Sequence, residues 1–175
     1  MEETEPLRAT PPVFELEQSD DYSQYLLHSR TEILAVLRSI IQKGTLITAH
    51  FDQGRSFFLT SMIALQPDNT EFILDVGSNE EMNGKALKAN KLIFTAVVDK
   101  VKTQFSLDRL RRVEYEGRPA FIGALPDTLL RLQRREFFRL ATPIANPIRL
   151  CTALVPEERA VDVPLVDISG GGVGL

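Results

Sequence analysis

TLITAHFDQGRSFFLTSMIALQPDNTEFILDV, residues 45–76, holds three runs rich in threonine, isoleucine and phenylalanine. Within TLITAHF (45–51), SFFLTSMIAL (56–65) and TEFILDV (70–76), apolar side chains recur at the two-residue spacing of a strand. DQGR (52–55) and QPDN (66–69) separate them with residues suited to hairpin turns. Three strands joined this way predict antiparallel pairing, and the neighbouring sequence extends the pattern in both directions.

Upstream, the period is helical. Ser29 and Glu32 have capping-box spacing, Ile33, Val36, Leu37, Ile40 and Ile41 form an apolar stripe, and Gly44 is placed to end the helix. Downstream, SNEEMNGKALKAN (78–90) breaks the strand pattern and reads as a loop or short helix. KLIFTAVVDKVKTQFSL (91–107) resumes it as two strands meeting near Asp99–Lys100, and VEYEGRPAFIGAL (113–125) adds at least one more pair. The predicted fold class is mainly β: an N-terminal split-barrel-like β domain with one amphipathic helix over 23–126, with a barrel as its expected form. Residues 1–22 carry seven carboxylates, one arginine and three prolines, and read as an acidic flexible tail. Leu125–Pro126–Asp127 is the expected boundary. Residues 127–139 form a linker in which TLLRLQ (128–133) is expected to make a short helical turn, and 140–175 begin a second β unit.

A hydrophobic content of 43% with 25% charged residues is ordinary for a globular chain of 175 residues. No run of about 18 apolar residues predicts a membrane span. The start, MEETEPLRATPP, does not resemble a signal peptide. The single cysteine, Cys151, excludes an internal disulfide and fits a reduced cytoplasm. With His28 and His50 the only histidines, a zinc site is not expected. A net charge of −4 argues against general DNA or RNA binding. The charge is unevenly spread, however: Asp108 to Arg139 contain eight arginines and five carboxylates, which points to a local anionic partner.

The densest part of that region is LQRREFFRLATP (132–143), with Arg134, Arg135 and Arg139. Guanidinium is a planar five-donor fork that suits phosphate oxygens and the O6/N7 edge of guanine, and it stacks on base planes. DISGGG (167–172) offers complementary chemistry. The Asp167 carboxylate can accept from guanine N1–H and N2–H₂, and the Ser169 hydroxyl can donate to phosphate. Gly170, Gly171 and Gly172 permit close backbone approach to an anion. Together the two segments predict a two-sided site for a guanine nucleotide. Phe137 and Phe138 read as core anchors of the linker, RLRR (109–112) as a solvated face, His50 as structural, and Ser29 as a helix cap.

RREFFR (134–139) resembles the Arg-x-x-x-Arg motif of the PilZ domain, with an extra arginine ahead of it, and DISGGG resembles that domain's Asp/Asn-x-Ser-x-x-Gly motif. The β-rich region followed by LPDTLLRLQRREFFRL is similar to the N-terminal domain of YcgR-type flagellar brake proteins. The resemblance covers residues 23–175 and implies that 140–175 are the N-terminal part of an incomplete six-stranded PilZ barrel. It implies a non-enzymatic receptor whose ligand is cyclic di-GMP, with no other cofactor and no metal. Arg134, Arg135 and Arg139 would clamp it from the interdomain linker, and Asp167, Ser169 and Gly172 would complete the site. The extra Arg134 resembles members that hold an intercalated dinucleotide dimer. The implied partners are flagellar motor rotor-switch or stator proteins, and the implied location is the cytoplasmic side of the flagellar basal body. An adaptor for another output, such as polysaccharide secretion, and a flavin-binding split-barrel oxidoreductase are the alternatives. Because the strands that follow DISGGG in PilZ domains are missing, the chain reads as a piece of a longer protein.

Overall fold

The computed structural model describes residues 14–135, 137–152 and 161–175. It divides into two compact units, Met1–Leu132 and Gln133–Leu175. The first opens with a 3₁₀ turn, Glu15–Glu17, followed by α1 (Ser19–Tyr22), a second such turn, β1 (Leu26–Leu27) and α2 (Arg30–Gln42). Next come β2 (Leu46–Phe51), β3 (Ser56–Leu65), β4 (Glu71–Asp75) and α3 (Glu80–Lys88). The unit ends with β5 (Leu92–Val98), β6 (Val101–Leu107), β7 (Arg111–Tyr115), β8 (Arg118–Ala124) and β9 (Leu129–Leu132).

The predicted strands pair with their neighbours in sequence because their turns have the right backbone. At the β2–β3 connection, Asp52, Gln53 and Gly54 all take positive φ. Asp99 and Lys100 do so between β5 and β6, as do Glu116 and Gly117 between β7 and β8. Two consecutive residues in this region give a hairpin the twist its strands need. The resulting nine-stranded sheet has the order β1-β9-β6-β5-β2-β3-β4-β8-β7. It is antiparallel throughout. The fold is mainly β, as predicted, but the expected closed barrel does not form: β1 and β7 end the strand order as open edges. The expected helical turn over TLLRLQ is also replaced, since β9 pairs with both β6 and β1. Leu129 and Leu130, on opposite faces of that strand, are both fully buried. Four residues carry too little period to distinguish strand from helix, and burial on two faces decides it.

Helix α2 lays Ile33, Leu37 and Ile40 on the sheet's inner face. Its start is at Ser29 as expected, but the Ser29 side chain makes no capping hydrogen bond. At the core's centre Phe94 and Phe105, paired across β5 and β6, stack at 4.9 Å, with Phe72 edge-on to both. Each such buried ring contributes roughly 1.5–3 kcal/mol by leaving water. The polar stretch 78–90 contains α3, capped by Asn79, whose side chain accepts from the Met82 N–H at 3.1 Å. The first 13 residues of the acidic tail lie outside the described residues, while Phe14 is buried and the turn after it lies against β6 and β9. No described helix is long and apolar enough to cross a membrane.

Candidate functional site

The second unit contains both chemical motifs. Its strands are β10 (Arg139–Ala141), β11 (Arg149–Thr152), β12 (Val161–Pro164), β13 (Asp167–Ser169) and β14 (Gly172–Gly174). β11 pairs with β12, and β10, β13 and β14 form a separate sheet in which β13 is central. That arrangement brings the arginine segment to the glycine turn. Arg139 lies directly across from Ser169, and Ala141 across from Asp167. The Arg139 guanidinium approaches the Asp167 carboxylate to 3.6 Å, an ion pair at its outer limit and not a hydrogen bond. Thr142 extends the β10–β13 register, its N–H donating to the Val166 carbonyl at 3.0 Å and its hydroxyl to the Leu165 carbonyl.

The turn is shaped by what its glycines lack. Gly172 takes φ +150°, a conformation that side chains disfavour. The Ser169 hydroxyl donates to the Gly172 carbonyl at 3.1 Å and so closes the turn on itself. In this arrangement its proton is spent within the turn, and donation to a phosphate requires the hydroxyl to rotate. A Cβ on Gly170 would stand 2.7 Å from the Phe137 ring, and one on Gly174 would stand 2.9 Å from Asp167 Oδ1. Phe137 therefore lies over the glycines, half exposed, and Phe138 is 85% exposed. Neither is the core anchor expected from sequence: the unit they belong to offers no apolar interior, Leu165 being its one buried residue among those described.

Arg134, Arg135, Arg139, Asp167, Ser169 and Gly172 all line one cavity of about 320 Å³, within the size range of small-molecule sites. Gly171 lies in the wall beside them, and Phe137, Val173 and Gly174 complete it. The last three were not read as site residues from sequence. Gly174 lies two residues beyond a legible motif, and its role is to leave space for Asp167. The cavity faces three guanidinium groups and one carboxylate, a donor-rich surface suited to an anion with a planar polar edge.

Other charged and polar groups are engaged elsewhere. Arg149 holds Asp162 across the β11–β12 hairpin, with Nε 2.9 Å from Oδ2. In RLRR, Arg111 pairs with Glu71, and Arg112 makes two 3.1 Å hydrogen bonds to the Glu80 carboxylate. Burial, then Lys102, pushes the His50 pKa below its ordinary value. It sits between Phe14 and Phe57, with Nε2 3.3 Å from Thr95 Oγ1.

Residues 25–131 match the family model described as the flagellar regulator YcgR, PilZN domain. The flagellar brake protein YcgR 1 of Dechloromonas aromatica is 39% identical over 167 residues, covering 94% of this chain and 63% of that protein. YcgR of Thiobacillus denitrificans is 34% identical over 175 residues, covering 97% of this chain and 68% of the relative. Among solved structures, YcgR of Escherichia coli in complex with c-di-GMP superposes with a TM-score of 0.63 at 29% identity, over 87% of this chain and 64% of that one. The isolated YcgR-N domain from E. coli gives a TM-score of 0.58 at 28% identity, over 63% of this chain and 96% of that one. The chain spans 63% of the Dechloromonas protein and 62% of YcgR from Azoarcus sp., under two thirds of either. With the family model running from just before β1 to the middle of β9, this chain belongs to the YcgR flagellar-regulator family, and residues 25–131 are its PilZN domain.

Proposed function

We propose that the chain is the receptor part of a cyclic di-GMP effector acting in flagellar motility. Arg134, Arg135 and Arg139 clamp the dinucleotide's phosphates and guanine edges, and Asp167, Ser169 and Gly172 complete the site. The observation that carries this reading is the shared cavity: two motifs about thirty residues apart in sequence line one donor-rich hollow. The E. coli relative solved with c-di-GMP supports the choice of ligand. Binding is non-catalytic. It neutralises a cluster of guanidinium groups and orders the segment that follows β9, through which the PilZN domain and the second unit are joined. An order-on-binding step at such a junction is a sufficient switch. The output is contact with a rotor-switch or stator protein at the cytoplasmic side of the flagellar basal body, in keeping with the brake names of the relatives.

Isothermal titration of cyclic di-GMP into the chain tests the ligand step. Arg135→Ala removes a charge-assisted fork and weakens binding by about 2 kcal/mol, roughly thirtyfold. Unchanged affinity in that variant refutes the clamp. A stoichiometry of two ligands per chain assigns Arg134 to the second guanine, and a stoichiometry of one leaves it at the rim.

A further inference from the structure

The PilZN sheet has an outer face, opposite the core, that the chain's own N-terminal turn half covers. Residues paired across antiparallel strands share a face. Lys102 is thus beside Val97, Gln104 beside Thr95, Thr95 beside Thr48, Thr48 beside Leu59, and His50 beside Phe57. Over the first part of this face lies Phe14–Glu17. Phe14 packs on the His50 ring at 5.1 Å. The Glu15 carboxylate accepts from Lys102 Nζ at 2.7 Å and from Gln104 Nε2 at 2.9 Å, while the Leu16 N–H donates to Gln104 Oε1 at 2.9 Å. Glu17 pairs with Lys91 at 2.9 Å. The cover stops there. Val97, Phe57 and Leu59, on the same face, remain 62%, 54% and 50% exposed.

Three features distinguish this contact from simple burial of a sheet face. Gln104 is fully buried, and both ends of its amide are spent on the turn. A buried amide covers a face poorly but selects a partner, because it costs energy wherever its hydrogen bonds are not matched. Second, the attachment has a defined chemical pattern, an aromatic followed by a carboxylate at the next position and another two further on, each carboxylate met by a lysine. Third, the turn is firmly seated at Phe14 and Glu15 and lightly held only at its Glu17 end. The Glu17–Lys91 pair is about half exposed on each side, and such pairs contribute little.

We propose that this face, at Lys102, Gln104 and Lys91, is a recognition surface for an acidic segment of another protein. That segment carries an aromatic residue directly before a carboxylate and a second carboxylate two residues later. The chain's own Phe14–Glu17 fills the surface in cis, and displacement by a longer segment extends the contact over Phe57, Leu59 and Val97. The site shares no residue with the proposed nucleotide cavity, so its test does not depend on cyclic di-GMP.

The probe is a fluorescein-labelled peptide of this chain's residues 12–19, PVFELEQS, followed by anisotropy. The double variant Phe14→Ala/Glu15→Ala releases the turn and binds the peptide at least about tenfold more tightly than the unmodified chain, because the competing cis segment is gone. Adding Lys102→Ala abolishes that gain. Equal binding by the two proteins overturns the proposal, as does a gain that survives Lys102→Ala. Amide exchange on the unmodified chain is a second readout that needs no variant. The Leu16 N–H exchanges at least about a hundredfold faster than the Phe94 and Phe105 amides, since the turn opens without unfolding the sheet. Equal protection at these three positions means the turn never leaves and refutes displacement.

Discussion

Gly174 shows how one missing methyl group shapes the proposed nucleotide cavity. Its would-be Cβ stands 2.9 Å from Asp167 Oδ1 and 3.0 Å from Cγ, so Gly174→Ala pushes the carboxylate out of its position beside Arg139. Cyclic di-GMP affinity falls about tenfold, the cost of one displaced acceptor, while the far-ultraviolet circular dichroism is unchanged. Glu15 makes a second residue-scale case, this one in pH. Burial alone would raise its pKa, but the Lys102 ammonium and the Gln104 amide outweigh burial and hold the carboxyl below its ordinary 4.5. A carboxyl with a lowered folded-state pKa stabilises the fold above its unfolded value, and the contribution is lost as pH falls through the folded value. Glu15→Gln is therefore less stable than the unmodified chain at neutral pH, and denaturant midpoints of the two converge as the pH drops below the carboxylate range. A gap that persists in acid removes the charge from the explanation.

Hairpin turns govern the elements. Asp99 and Lys100 both hold positive φ between β5 and β6, and only the Asp99 side chain has a use there, its pair with Lys43. Lys100→Gly supplies the Asp-Gly sequence this turn favours without touching that pair, and raises stability by about 0.5–1 kcal/mol in urea denaturation. Loss of stability shows that Lys100 holds a contact beyond its backbone. Helix α3 depends instead on amide side chains near its start. Its buried Asn83 donates to the Gly77 carbonyl at 2.8 Å and accepts from the Gly77 N–H at 3.0 Å. Together with the Asn79 cap, this short-range closure holds the start of α3, which the polarity of 78–90 alone does not distinguish from a loop.

For the whole molecule, burial is concentrated in the first unit. The main core cluster draws on residues between Ile33 and Leu129, whereas Leu165 is the one buried apolar residue among those described after Leu132. A fragment of residues 14–132 accordingly unfolds in a single cooperative thermal transition, and a fragment of residues 133–175 shows none, having too little apolar surface to bury. A cooperative transition in the smaller fragment contradicts this division. The separately solved YcgR-N domain of E. coli is consistent with the first half of the expectation.

The amino-acid sequence by itself determined the β class, the positions of β2 to β6, the start of α2, and the two motifs that line the proposed nucleotide cavity. All of these are local: alternation, turn residues and clustered functional groups are written within a few neighbours of each other. Only the tertiary structure decided that the PilZN sheet stays open and that TLLRLQ forms β9. It also decided that Phe137 lies over glycines instead of in a core, and that Phe14–Glu17 is seated on Gln104. Each of these depends on which surface a segment buries against. That choice is made between residues far apart along the chain, where burial and hydrogen-bond pairing outweigh the weak preference of any short run.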